Sequence, residues 1–366
     1  MFGIEKKLGF GCMRLPMRGR EIDTEAFCEM VDVFLENGFN YFDTAHGYHS
    51  GKSETALRTC LTSRYPRERY LLTDKLSNDY FKTQADIRPF FEKQLKACGV
   101  EYFDFYLMHA QERRNYEKYK RCRAYETALE LKAEGKIRHF GISFHDTADV
   151  LRQILTEYPQ IEVVQLQLNY LDFDDPAVQS RACYAVCREF GKPVLVMEPV
   201  KGGSLANPPE PARRILDAVR TDSPAALAIR FAAGFDGILA VLSGMSTVEM
   251  VRENTAVMRD FHPLSDTERA AVEQAANVFH ASDQIPCTAC RYCTDGCPKH
   301  IDIPALFACV NARQLHKDWN AGYYYGVRTA GRGKASDCIG CGKCERACPQ
   351  HLPIRKLLKK AASLFE

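Results

Sequence analysis

The sequence predicts a closed (β/α)8, or TIM, barrel followed by a small, mostly helical, cysteine-rich module. Three observations lead there. Up to about residue 260, short β-rich apolar runs alternate with amphipathic stretches, each pair spanning roughly 30 residues, which is the pattern of βαβ units in a parallel sheet. Eight such pairs match the length of a closed barrel better than an open, doubly wound sheet. No G-x-G-x-x-G opens a helix after any of the runs, so the nucleotide site that would favour the open sheet is missing. With 366 residues the chain exceeds the size at which one core usually stops growing. A barrel over 1–283 and a second domain over 284–366 are therefore expected.

The eight expected strands are KLGFGCM (7–13), FNYFDTA (39–45), YLLTDKL (70–76), FDFYLMH (103–109), IRHFGIS (137–143), VVQLQLN (163–169), PVLVMEP (193–199) and ILAVLSG (238–244). Between them lie helical patterns such as TEAFCEMVDVFLENG (24–38) and ADIRPFFEKQLKACG (85–99), with apolar residues three and four apart. HPLSDTERAAVEQAANVFHASDQIP (262–286) reads as a last helix and a linker. Beyond it, IPALFACVNARQL (303–315) and PIRKLLKKAASLF (353–365) are amphipathic, each following a cysteine-rich loop.

The N-terminal MFGIEKKLGFGCMRLPMRGR has no apolar core of a leader peptide, and no run approaches the ~18 to 20 apolar residues that span a bilayer. A cytoplasmic protein without membrane contact is expected. Thiols there stay reduced, so clustered cysteines are read as metal ligands or catalytic groups, not as disulfides. The net charge of +2 divides unevenly: residues 287–366 hold 13 basic and 6 acidic side chains, and the remainder is mildly acidic. A basic module could dock an acidic redox partner protein or attract anionic substrates, although a solvated basic surface is the plainer reading. No motif for nucleic acid is present.

Eight of the 16 cysteines form an internal repeat, CTACRYCTDGCPKHI (287–301) and CIGCGKCERACPQHL (338–352), each with the spacing C-x2-C-x2-C-x3-C-P. Zinc sites typically use two C-x2-C pairs with a longer insert, so this spacing points to iron–sulfur. It resembles the bacterial two-cluster ferredoxins, in which the fourth thiolate ligates the other cluster. The resemblance implies two 4Fe-4S clusters, one on Cys287, Cys290, Cys293 and Cys348, the other on Cys338, Cys341, Cys344 and Cys297. The long connector between the motifs is similar to α-helical ferredoxin modules, and its aromatics around Trp319, in HKDWNAGYYYGV, are expected to pack around the clusters. Cys12, Cys28, Cys60, Cys98, Cys122, Cys183, Cys187 and Cys309 are expected as buried small hydrophobes.

In a (β/α)8 barrel the reacting groups sit at the C-terminal ends of strands. Asp43 ends the second strand, Tyr48 follows in HGYHSGKSE, Lys75 ends the third and His109 ends the fourth. Reducing a carbonyl with hydride builds negative charge on oxygen and needs a proton donor. Tyr48 is the candidate donor, with Lys75 expected to lower its pKa, Asp43 to keep Lys75 charged, and His109 to orient the substrate oxygen.

With FDTAHGYHSGKSE, TDKL, LMHA, GISF, QLQLNY, EPVKGG and SGMSTVEMVREN in order over residues 7–260, the chain resembles the aldo-keto reductases, in particular a branch fused to a ferredoxin domain. The resemblance implies that Asp43, Tyr48, Lys75 and His109 are the catalytic set and that NADPH or NADH is the cofactor. It places Ser143 and Gln165 near the carboxamide, Gly202, Gly203, Ser204 and Leu205 near the pyrophosphate, and Glu253 and Asn254 at the adenine end. This chain departs from the family pattern at Phe144 and Met197, and at Gly244 and Met250, where many members place cations for the 2′-phosphate; Arg252 could substitute.

Two functions follow. One is reversible hydride transfer between NAD(P)H and a small aldehyde, ketone or alcohol. The other is an electron-transfer component whose clusters exchange single electrons with a partner, the barrel acting as a docking or nicotinamide-independent module.

Overall fold

In a computed structural model, residues 2–219, 222–281, 285, 287, 289, 291–348 and 351–366 are described. The eight expected runs form eight parallel strands: β1 (Leu8–Gly11), β2 (Tyr41–Asp43), β3 (Leu71–Leu76), β4 (Phe103–Gln111), β5 (Ile137–Phe144), β6 (Val163–Gln167), β7 (Val194–Met197) and β8 (Ile238–Ser243). Each pairs with the next and β8 closes on β1, giving a complete barrel. A two-stranded hairpin (Met17–Arg18 with Glu21–Ile22) precedes the first helix.

Helices follow every strand and are bounded by local chemistry. Asp23 caps Thr24–Glu36 by accepting from the Ala26 amide at 3.3 Å, and Gly99, at φ 69°, ends Ile87–Cys98 in the left-handed conformation that glycine adopts without strain. Ser223 caps Pro224–Ala233, with proline in the first turn where its missing N–H has no helical partner to lose.

The barrel interior explains the strand pattern. Tyr41, Phe105, Leu107, Val163, Leu195, Ala240 and Leu242 form a buried layer inside the ring, while the opposite strand faces pack under the helices. Large rings require small neighbours: a Cβ on Gly9 would lie 2.7 Å from Leu242 and 2.8 Å from Tyr41, and one on Gly141 would lie 2.5 Å from the Val163 carbonyl oxygen. Because side chains alternate along a strand, positions two or four residues beyond this layer also face inward, at the mouth. Asp43, His109, Ser143, Gln165 and Met197 are such positions, and Lys75 stands two beyond Thr73, itself paired with Asp43 across the sheet.

A second core contains Ile301, Ile303, Leu306, Phe307, Val310, Tyr324, Tyr325, Ile354 and Leu358, with Cys293 and Cys344. It is built from helices Ile303–His316, Asn320–Thr329 and Ile354–Phe365, as the sequence predicts. The boundary expected at 283/284 lies outside the described residues. No described helix is long and apolar enough to cross a membrane.

The second core docks on the barrel's C-terminal rim. Ala177, from the loop after β6, belongs to that core. Lys201, 3% exposed, pairs with Asp172 of the barrel and with Asp318 of the connector, the latter at 3.0 Å. Arg328 donates to the Ala177 carbonyl and lies 3.6 Å from Asp146, and the Tyr324 hydroxyl donates to Gln167 Oε1 at 2.9 Å. One expectation is corrected here. Trp319 and Tyr323 face the barrel mouth rather than the cysteine motifs, because the helix Asn320–Thr329 is pinned to the rim through Tyr324 and Arg328; Tyr325, on its other side, stacks on Phe365 at 4.6 Å.

Replacing Lys201 by Met strands two buried carboxylates, so Lys201→Met is expected to lower unfolding free energy by about 3–5 kcal/mol in denaturant titrations.

Candidate active site at the barrel mouth

The loop after β2 carries Tyr48 and then three left-handed residues, His49 (φ 51°), Ser50 (φ 56°) and Gly51 (φ 88°), which reverse the chain into the helix Lys52–Leu57. His49 Nε2 accepts from the Leu15 amide at 3.1 Å, tying this loop to the one after β1. Tyr48 is thereby held over the end of β3.

Lys75 is fully buried. Its Nζ donates to Asp43 Oδ1 at 2.6 Å and to the Thr44 carbonyl at 2.7 Å, and lies 3.5 Å from the Tyr48 hydroxyl. Burial favours the neutral amine, but the Asp43 carboxylate and Tyr48 outweigh it and raise the Lys75 pKa above that of an ordinary lysine. The Tyr48 and His109 ring centres are 6.1 Å apart. Burial, the Lys75 charge and His145 keep His109 neutral, and its Nδ1 meets the Ser77 hydroxyl at 2.6 Å. The expected depression of the Tyr48 pKa is corrected: burial pushes the phenol above 10, with Lys75 opposing and Asp43 and Glu198 adding to the rise.

Below this group, Gln94 donates to the Lys75 carbonyl at 3.1 Å and to Glu54 Oε1 at 3.3 Å. Glu54 also contacts His46 Nδ1 at 2.8 Å. Burial raises Glu54 to about 7.

A solvent-connected cleft runs from Asp43, Tyr48 and His109 past Gln165, Gly202 and Gly203 to Glu253 and Asn254. These are the positions expected along a nucleotide, and they lie along one continuous opening. Three others are placed differently. Ser143 is fully buried with its Oγ accepting from the Ala110 amide at 2.7 Å, Leu205 lies in the core, and Ser204 lines no part of the cleft. Gln165 Nε2 donates to Asp43 Oδ2 at 2.9 Å. Met197, Gly244 and Met250 line the cleft, whereas Phe144 is in the core and Arg252 is held at the surface by Glu29 at 3.0 Å.

Sequence reasoning missed Ser77 and His145. Ser77 stands two residues beyond Lys75, the same alternation that identified the others. His145 follows β5 and lines the cleft, its pKa lowered to about 4 by burial and by Lys75.

In the second core, Cys297, Cys338, Cys341 and Cys344 line one cavity, together with Ile301, Ile303 and Leu358. They surround a space rather than a point: among the described residues no three His, Cys, Asp or Glu side chains converge on one metal ion. Cys287, Cys293 and Cys348 pack in or against the same core, and Cys290 lies outside the described residues. Of the remaining cysteines all are buried except half-buried Cys28, whose Sγ is 2.7 Å from that of Cys60.

Residues 7–277 match the Aldo/keto reductase family. The chain belongs to that family. Residues 286–353 match a 4Fe-4S dicluster domain, so an aldo/keto reductase domain is followed by an iron–sulfur one. The chain is similar to the NADH-specific methylglyoxal reductase of Escherichia coli, 26% identical over 298 residues, covering 68% of this chain and 88% of that protein. Among solved structures it is similar to the holo form of an aldo-keto reductase from Bacillus halodurans, with 26% identity and a TM-score of 0.60 over 74% of this chain and 91% of that one. An aldo-keto reductase from Klebsiella pneumoniae in complex with NADPH shares the fold at 21% identity and a TM-score of 0.59, covering 73% and 90%.

Glu54 binds a proton in the folded state at pH values where an unfolded glutamate, with a pKa of ~4.3, has lost it. Stability of the chain is therefore expected to fall as pH rises from about 5 to 7, by up to ~1.4 kcal/mol per pH unit for this one proton. Glu54→Gln should reduce that dependence in unfolding midpoints measured across the range, the remainder coming from Asp74, whose pKa burial also raises.

Proposed function

We propose that the chain catalyses reversible hydride transfer between a nicotinamide nucleotide and an aldehyde or ketone, with Tyr48 as proton donor to the carbonyl oxygen. The observation that carries this reading is the buried Lys75 ammonium, fixed by Asp43 and the Thr44 carbonyl and aimed at the Tyr48 hydroxyl. A bound nicotinamide would supply the hydride. As negative charge grows on the carbonyl oxygen, Tyr48 gives up its proton, and Lys75 stabilises the phenolate left behind. His109 is neutral. In the tautomer protonated on Nε2, the Ser77 hydroxyl donates to Nδ1 and the Nε2 proton is left to hold the carbonyl oxygen in line with Tyr48.

Gln165, Gly202, Gly203, Glu253 and Asn254 are the proposed nucleotide contacts; Ser143, Ser204 and Leu205 act behind them through the backbone and packing. NADH is the better fit. Gly244 and Met250 offer no cation for a 2′-phosphate, Arg252 lines no part of the cleft, and Arg14, the cation beside Gly244, is paired with Glu198 at 3.4 Å. The relative from Escherichia coli is described as NADH-specific, which supports the same choice.

Residues 284–366 are proposed to fold as a second domain around two 4Fe-4S clusters. The cavity lined by Cys338, Cys341, Cys344 and Cys297 supports the crossed ligand set for one of them, and Cys287, Cys290, Cys293 and Cys348 would hold the other. Such clusters exchange one electron at a time. A second reading, electron exchange with an acidic partner protein, is favoured by exposed Cys341 and by Ile339 at 62% exposure, with Lys356 and Lys359 on the neighbouring helix.

Tyr48→Phe is expected to lower kcat for carbonyl reduction by at least 100-fold while iron content and NADH affinity stay within twofold; retained turnover would remove Tyr48 from its role. In anaerobic mixing, NADH consumed only with a carbonyl present, the brown colour unchanged, supports the reductase. Bleaching without a carbonyl supports the second reading. Chelating the iron should unfold the 284–366 helices and leave the barrel's circular dichroism in place.

A further inference from the structure

Part of the cleft wall comes from outside the barrel. Trp319, Asn320 and Tyr323 line the same cleft as Tyr48 and His109, yet they belong to the connector between the two cysteine motifs. Their positions are fixed from both sides. Asp318, next to Trp319, is paired with buried Lys201 at 3.0 Å, and Tyr324, next to Tyr323, bonds to Gln167 at 2.9 Å and to His145 Nδ1 at 3.2 Å. With their neighbours held so firmly, Trp319 and Tyr323 are nevertheless 45% and 37% exposed.

The rings bound different parts of the cleft. The Trp319 indole would lie 3.6 Å from a Cβ on Gly202 and is 5.8 Å from the Arg14 guanidinium, so it stands over the proposed pyrophosphate loop. Tyr323 meets the His145 ring edge-on at 5.2 Å, and His145 neighbours His109, so it stands on the substrate side. His145 is uncharged at neutral pH. Met13 and Met197 add flexible thioethers that adapt to a ligand's outline and favour aromatic contacts.

We propose that this wall is a substrate subsite, built jointly by the barrel and the connector, which takes carbonyl compounds bearing a flat aromatic ring and stacks that ring on Tyr323. The proposal rests on the carbonyl-reductase reading and adds the substrate class to it. An exposed aromatic ring at the wall of an open cleft gains from ring contact and apolar burial only when a ligand covers it. A small aliphatic aldehyde would reach Tyr48 without touching it.

The test compares 4-nitrobenzaldehyde with propanal as substrates of the anaerobically prepared holoprotein and its Tyr323→Ala and Tyr323→Phe variants, alongside calorimetric binding of 4-nitrobenzaldehyde and an iron assay. Tyr323→Ala is expected to raise the ratio of the aromatic to the aliphatic KM at least tenfold and to weaken calorimetric binding to match. Tyr323→Phe, which keeps the ring, should stay within threefold of the parent. An unchanged KM ratio with unchanged binding overturns the subsite and leaves the reductase reading standing. Ring binding that is lost in Tyr323→Ala, in a protein that turns over neither carbonyl, supports the subsite and overturns the reductase reading instead.

Discussion

A charged amine with no exposure to water organises this molecule. Lys75 remains an ammonium in the barrel only because Asp43 and the Thr44 carbonyl receive it, and breaking such a pair leaves an uncompensated buried charge. The requirement propagates. Asp43 must itself be held, which Gln165 does from across the barrel, and the Lys75 carbonyl must be met, which Gln94 does from the helix Ile87–Cys98. One ion pair thus draws β2, β3, β6 and a flanking helix into a single arrangement and leaves Tyr48 as the exit from it.

The same logic operates at the junction of the two cores. Lys201 is buried between a barrel carboxylate and a connector carboxylate, so neither side is satisfied alone. Arg328 repeats the pattern against Asp146 and Ala177. Docking through buried charge demands good geometry and tolerates little sliding, which is why the connector's aromatic residues reach fixed positions over the cleft.

Much of this was legible in the sequence. All eight strands could be read because each carries a short, mostly apolar, β-rich run followed by a helical pattern, and Asp43, Lys75 and His109 could be read because they fall at the ends of those runs. What failed to show depends on environment or on distant partners. The acidity of Tyr48 could not be judged from the presence of Lys75 alone, since burial is the larger influence and works in the opposite direction. Ser143 sits at the expected strand end but spends its hydroxyl on the Ala110 amide. The orientation of Trp319 and Tyr323 is set by contacts between segments more than a hundred residues apart, such as Tyr324 with Gln167, and no local pattern encodes them.

The connector is strung between the two halves of the cysteine repeat, yet what holds it at the rim is the barrel, through Lys201 on Asp318, Arg328 on Asp146 and the Ala177 carbonyl, and Tyr324 on Gln167. The mouth is therefore common property of both parts of the chain: a barrel cut free of its appendage would keep its floor and lose one bank.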